Sequence, residues 1–351
     1  MELDELRDGI RKRDEEIARL ISERTDLAKQ VGEYKREHGL PIRNVEVEKK
    51  VIDRYINNGK ERGLSEEVMR TVASALIKEA VDAEAMVPVK TDPKRVAIVG
   101  GAGKMGVWMS DFMRESGHEV IAIDPAAGNG LTIGDCRGCD IVIVSVPIHL
   151  ACETLSQLDE ICSEDTLIFD LTSLKTPIVE KLRSMAQRHM VCSIHPMFGP
   201  SATSMYGRNL IICDCGNEAA VEDVKRIFDD HGGNIRIMDV EQHDSYMSYV
   251  LGLTHAVNIA LFTVLERSGY TFEDLLTVSS TTFNKGLDTN RSVASEDPML
   301  YYGIQHMNSH SDDMWELFSN TVSELREKSL DDDPEGFVNL MNAGRRYFEG
   351  N

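Results

Sequence analysis

The stretch Arg95-Val-Ala-Ile-Val-Gly-Gly-Ala-Gly-Lys-Met-Gly106 constrains this chain more than any other. Five residues of buried-strand character run straight into a glycine turn, and a helical pattern follows from Val107 to about Ser116. Gly101, Gly103 and Gly106 fall in the spacing GxGxxG, which permits a tight turn and lets a pyrophosphate approach the amide donors of a helix N-terminus. That spacing alone is a weak signal; its context strengthens it. A second strand, Glu119-Val-Ile-Ala-Ile-Asp124, ends in an acid 23 residues beyond Gly101, placed to accept both ribose hydroxyls of NAD rather than tolerate the phosphate of NADP. A nucleoside-triphosphate loop would need glycine at Ile98 and Ser or Thr at Met105, and has neither. Gly101, Gly103, Lys104, Met105, Gly106 and Asp124 are therefore the expected dinucleotide contacts. Further strands are expected at Ile141–Val146, Thr166–Leu171 and Met190–Ile194, with helical connections, giving a doubly wound sheet. Ligands of such sheets lie beyond the carboxyl ends of the strands, which singles out Ser145, Val146, Pro147, Ser173 and His195.

Composition narrows the partners. With 38 Lys and Arg against 59 Asp and Glu the formal charge is -21, which repels phosphate backbones and anionic membrane surfaces, so neither nucleic acid nor membrane is expected. The opening Met-Glu-Leu-Asp-Glu-Leu lacks a signal peptide's basic start, and no uncharged apolar run of about 18 residues is expected, which points to the cytoplasm. Seven scattered cysteines suit reduced thiols. Cys136 with Cys139, Cys213 with Cys215, and His306 with His310 beside Asp312 and Asp313 lack convincing ligand spacing, so no metal is expected.

The N-terminal third reads as three helices. Leu3, Leu6, Ile10, Ile17, Leu20, Leu27, Val31 and Tyr34 follow alternating steps of three and four, the seam of one long helix from 4 to about 38. Arg24 sits where that seam calls for an apolar residue, and a buried cation needs an anionic partner. Two more helical patterns run through Val51–Ile56 and from Ser65 to about Met86, before the proline-bounded connector Val87–Pro93. Three such helices have little chance of closing a core alone, so a dimer is expected. Arg7 and Arg24 are 17 residues apart, about 26 Å along a helix, too far to grip one small molecule. Arg7 would have to reach the partner subunit's site.

Leu6-Arg7, Glu23-Arg24, Val31-Gly-Glu-Tyr-Lys35, Pro41-Ile-Arg43 and Glu48 resemble the all-helical chorismate mutase family over the first 88 residues. The resemblance implies rearrangement of chorismate to prephenate, with Arg24, Lys35 and Glu48 of one chain joined by Arg7 of the other. Arginines clamp the two carboxylates, while a lysine and a hydrogen-bonding group stabilise charge developing on the ether oxygen. Val47 stands where the family pattern expects another arginine, Asn44 replaces an aspartate and Ala80 a serine. Glu84 occupies a Gln-or-Glu position and could donate to the ether oxygen only while protonated.

The strings Val-Ser-Val-Pro-Ile-His149, Asp-Leu-Thr-Ser-Leu-Lys175, His-Pro-Met-Phe-Gly-Pro200 and Glu-Gln-His-Asp244, with the helix carrying His255, resemble prephenate dehydrogenase from about 93 to 350. What this implies is NAD-dependent oxidative decarboxylation, with His195 taking the hydroxyl proton and Ser173 orienting the imidazole or the hydroxyl. By position alone, His195 could be an ordinary turn residue, Ser173 a helix N-cap and His255 a core histidine. The only Lys or Arg between Ser268 and Leu325 are Lys285 and Arg291, which makes them candidates, with His255, for the substrate's carboxylates. The expected architecture is an all-α three-helix mutase domain (1–88), an α/β Rossmann-type NAD domain (93–244) and an all-α substrate and dimerisation domain (245–351). Rival readings are an arogenate dehydrogenase whose mutase domain serves only to dimerise, and a non-catalytic NAD-bound sensor.

Overall fold

A computed structural model describes residues 3–85 and 92–350; most of the connector 87–93 lies outside the described residues. The first helix, α1 (Leu3–Glu37), runs 35 residues without proline or helix-breaking sequence, and α2 (Val45–Lys60) and α3 (Glu66–Ala85) fold back beside it. Asn44 caps α2 by accepting from Val47 N at 3.2 Å, so the amide serves here as well as an aspartate would. Only Ala28 and Gly32 of α1 are buried. The heptad seam faces outward: Ile10 is 62 % exposed and Leu27 61 %. Such a stripe is stable in water only when another apolar surface covers it.

Next come β1 (Arg95–Val99), α4 (Lys104–Glu115), β2 (Glu119–Ile123), β3 (Ile141–Val144), α5 (Ile148–Ile161), β4 (Leu167–Asp170), α6 (Val179–Ala186), β5 (Met190–Pro196), β6 (Asn209–Asp214), α7 (Glu218–Phe228) and β7 (Asn234–Asp239). The strands form one sheet in the order β2-β1-β3-β4-β5-β6-β7. The first five are parallel, with their carboxyl ends on one edge; β6 runs antiparallel to β5 and parallel to β7. Val96, Ile98, Ile143, Phe169 and Ile194, on one face of the central strands, pack with Met109, Met113 and Phe228, and Ala97, Val142 and Ile168 on the other face are buried too, as parallel strands require.

Two compact units emerge. One comprises the three N-terminal helices and the sheet; the other holds Pro147–His149, Ser173–Val179 and everything from Glu241 on. The second unit contains most of α8 (Val240–Met247), a π-helical turn (Ser248–Leu253), α9 (Thr254–Arg267), α10 (Phe272–Thr277), α11 (Thr281–Ala294), α12 (Pro298–His306), α13 (Ser311–Leu330) and α14 (Glu335–Glu349). The π turn packs on α12 and α13, and α9 on α11. Gly252 sits in the π turn, where a Cβ would meet Met314 Cε at 3.4 Å.

The expectation of no membrane-length apolar run needs correction. Val240–Arg267 is a 28-residue helical run whose apolar window has a mean hydropathy of 1.6, because its polar residues are uncharged Ser, Thr, Asn, Gly and His. The π turn interrupts it, and its buried Ser248, His255 and Asn258 belong to the interior of the helical unit. Asn258 Oδ1 accepts from Asn290 Nδ2 at 2.6 Å.

Candidate active sites

In the helical region a cavity of about 330 Å³ is lined by Arg24, Lys35, Val47, Glu48, Ala80 and Glu84, among others. The structure therefore brings together four of the five residues expected there, from three helices. Arg7 is not among them: it lies exposed near the start of α1, paired with Asp4 at 3.4 Å. Arg24 is half-buried, donates to Leu76 O at 2.5 Å and makes no ion pair among the described residues. Lys35 Nζ donates to Glu84 Oε2 at 2.5 Å and to Ile42 O at 2.6 Å, which holds its ammonium against the cavity wall. Glu48 is gripped by Arg43, Nε to Oε1 at 3.0 Å. Val47 and Ala80 contribute apolar wall to the cavity.

On the sheet, the glycine turn is built as its spacing predicts, with one addition. Gly100, at φ +82°, takes the left-handed position, and a Cβ there would collide with the Ser145 carbonyl. A Cβ on Gly101 would fall 2.7 Å from Ala122 Cβ, and one on Gly106 would strike the Gly100 carbonyl. The backbone of the turn is thus pressed between β1, β2 and β3, and Gly103 opens α4 with no side chain over the helix's first amides. Lys104, Met105 and Gly106 are the first three residues of that helix. Asp124 follows β2, and its carboxylate accepts from Ala102 N at 3.2 Å and Ala126 N at 2.8 Å at the lip of the turn. Ser145 N donates to Val99 O at 2.8 Å, which brings the end of β3, Val146 included, to the same lip.

His195 lies inside β5 rather than just after it. The strand continues to Pro196 because β6, a partner the sequence reading did not identify, pairs His195 with Ile211. The imidazole is 4 % exposed, at the carboxyl-end edge of the sheet, three strands from β1. At ordinary strand spacing that is about 14 Å from the glycine turn, so a ligand anchored there must extend past β3 and β4 to reach it, as a dinucleotide can.

Pro147, Ser173, His255, Lys285 and Arg291 belong to the second unit. Ser173 is not an N-cap, since α6 begins only at Val179. It belongs to a loop fastened by Asp244, a residue not singled out as functional from sequence. The Asp244 carboxylate accepts from Lys175 N (2.9 Å), Thr176 N (2.6 Å), Thr176 Oγ1 (2.6 Å) and His243 Nδ1 (2.6 Å). Burial would raise its pKa, but these donors outweigh burial and hold the carboxyl at about 2. An ordinary aspartate titrates near 3.9, so the contribution to stability is complete above about pH 4 and is lost as pH falls towards 2. Asp244→Asn should therefore cost about 2 kcal/mol at pH 7, read from urea midpoints, with the gap to wild type closing towards pH 2.

His255 is buried and stacks on Tyr301 with ring centroids 4.0 Å apart; burial lowers its pKa. Its Nδ1 has no hydrogen-bond partner among the described residues, which a satisfied core histidine would have. Lys285 and Arg291 are both exposed on α11, and six residues place them about 120° apart around the helix, so it does not aim both at one point. Arg291 lies over the Phe272 ring at 4.9 Å.

Three sequence models match in succession: "Chorismate mutase type II" over residues 6–85, "Prephenate dehydrogenase, nucleotide-binding domain" over 105–237 and "Prephenate dehydrogenase, dimerization domain" over 239–343. The chain belongs to the fused chorismate mutase–prephenate dehydrogenase family. Among relatives of this family, the T-protein of Haemophilus influenzae is 29 % identical over 351 residues, covering 99 % of this chain and 92 % of its own. A chorismate mutase of Methanocaldococcus jannaschii is 38 % identical over 76 residues, 22 % of this chain and 77 % of that protein. In fold, a prephenate dehydrogenase from Aquifex aeolicus, solved with hydroxyphenyl propionate and NAD+, aligns with a TM-score of 0.59 at 24 % identity, covering 75 % of this chain and all of that one. A Synechocystis arogenate dehydrogenase aligns at 0.57 and 18 %, covering 72 % and 99 %.

Proposed function

We propose that this chain makes 4-hydroxyphenylpyruvate from chorismate in tyrosine biosynthesis, rearranging chorismate to prephenate on residues 1–88 and oxidising prephenate on residues 93–351. The observation that carries the reading is that one chain holds both an unpaired, half-buried arginine facing a cavity of small-molecule size and a glycine turn with a histidine further along the same sheet edge. In the first site Arg24 supplies the counter-charge for a carboxylate of chorismate, and Lys35 stabilises charge developing on the ether oxygen. Arg7 of the partner subunit completes the clamp. The exposed seam of α1, and the apolar residues exposed on α13 and α14 (Leu317, Val322, Leu325, Val338 and Met341), support a homodimer.

For the second site the cofactor is NAD. Gly101 and Gly106 let the turn pack tightly, Gly103 leaves the first amides of α4 without a side chain over them, which fits a pyrophosphate, and Asp124 fits the ribose hydroxyls. When bound, NAD supplies the hydride acceptor. His195 accepts the hydroxyl proton as hydride leaves C4, making C4 a carbonyl; the bond from the ring to its carboxylate then breaks, carbon dioxide departs, the electron pair completes the aromatic ring and the C4 oxygen takes the proton back from His195 to become the phenol. Ser173 orients the hydroxyl or the imidazole, while His255 and Arg291 meet the substrate's carboxylates; Lys285, about 120° from Arg291 around α11, does not share that contact. We place the protein in the cytoplasm.

The test is NADH absorbance with prephenate or arogenate as substrate: the reading expects prephenate to be the better one, and turnover of arogenate alone would overturn it. Gly106→Ala should weaken NAD binding at least about tenfold by calorimetry, because the added methyl meets backbone and not a yielding side chain. Its mutase rate should stay unchanged.

A further inference from the structure

The cavity of the helical domain is lined by residues between Arg24 and Glu84, but one of them, Glu48, is held from outside that domain. Tyr206, in the loop between β5 and β6, packs against the apolar cluster of Ile42, Ile77 and Val81. Its hydroxyl donates to Glu48 Oε2 at 3.2 Å, while Arg43 donates to both carboxylate oxygens, Nε to Oε1 at 3.0 Å and Nη2 to Oε2 at 3.4 Å. The Arg43 guanidinium lies over the Tyr206 ring, 5.2 Å from its centre, and gives a further N–H to Asn234 Oδ1 at 2.7 Å. Asn234, the first residue of β7, is itself tied to Asn209 Oδ1 at 3.1 Å. Gly232, in the turn before β7, lets that turn approach α3, since a Cβ there would fall 2.9 Å from Val81 Cγ1. Two residues of the NAD-binding domain thus hold the Arg43–Glu48 pair from outside, and Glu48 lines the cavity.

The geometry points to Tyr206 as a positioning residue for the chorismate rearrangement: its hydroxyl fixes the Glu48 carboxylate, so the mutase site is completed by the dehydrogenase half of the same chain. This rests on the reading of the cavity as the mutase site. Arg43 reaches both oxygens, but its contact to Oε2 is long at 3.4 Å; without the phenol that oxygen keeps only this long contact, and small losses of alignment are costly in a reaction run by positioning. Burial, and then the neighbouring Glu48 charge, push the Tyr206 phenol up to about 12, so it remains a donor at every working pH.

The decisive variant is Tyr206→Phe, which keeps the ring against Arg43 and the apolar cluster and removes only the hydroxyl. The expected result is a fall of about tenfold in mutase kcat with KM for chorismate nearly unchanged, and with dehydrogenase kcat and Tm at wild-type values. Unchanged mutase kcat overturns the inference. So does an equal fall of both activities together with Tm, which would make Tyr206 merely structural. Arg24→Ala, assayed in parallel, separates this from the underlying reading: if that variant keeps full mutase activity, the cavity itself has been misassigned.

Discussion

Replacing His195 by asparagine is expected to lower NADH formation from prephenate by about a thousandfold near neutral pH while leaving chorismate rearrangement at the wild-type rate. Asparagine keeps a polar side chain of similar reach at the edge of β5 but cannot accept a proton. Positioned general bases contribute roughly 10²- to 10⁴-fold, and here the proton must leave the hydroxyl as hydride leaves the same carbon. The substitution also probes placement, because His195 is held in the β5–β6 ladder and the mutant side chain has the same backbone to stand on. NAD affinity should be unchanged, since the glycine turn and Asp124 lie at the other end of the extended ligand. Substantial residual turnover would mean that another group removes the proton.

Arg24→Ala should do the reverse. Mutase kcat/KM should fall at least about a hundredfold, while NADH formation from added prephenate stays intact. The magnitude follows from what the guanidinium does: it is half-buried, shares one N–H with a carbonyl, and leaves its charge for a substrate carboxylate. Losing a charge-assisted contact of this kind removes binding that strengthens as the ether bond breaks. The protein should tolerate the change, since a lone partly buried cation is a cost to the fold and alanine is an excellent helix former. Chorismate turnover at the wild-type rate would remove Arg24 from the site.

Much of this was legible in the sequence, for identifiable reasons. The seam of α1 shows as a spacing, and the strand–turn–helix around Gly101 shows as a contiguous string, so local pattern carried both. Lys35, Glu48 and Glu84 meet at one cavity as the resemblance implied. What escaped depends on contacts between distant segments. His195 sits within a strand because β6 pairs with it, a pairing between segments that the sequence pattern does not show. β7, an edge strand with half-exposed residues, has a weak apolar signature. Asp244 is bonded by its neighbour His243 but also by Thr176 and Lys175, 68 and 69 residues away, and Tyr206 meets Glu48 across 158 residues, separations at which no periodicity can speak. Gly100 lies outside the GxGxxG spacing, which starts one residue later, although the positive φ falls on it.

Both activities on one chain are tested most directly by supplying chorismate and NAD, with no prephenate, and following absorbance at the reduced-nicotinamide band. The account predicts NADH after a lag as prephenate builds up, lost in Arg24→Ala and restored there by adding prephenate. Steady NADH from prephenate with none from chorismate in the wild-type protein would contradict it, leaving the helical domain as a dimerisation element without catalysis.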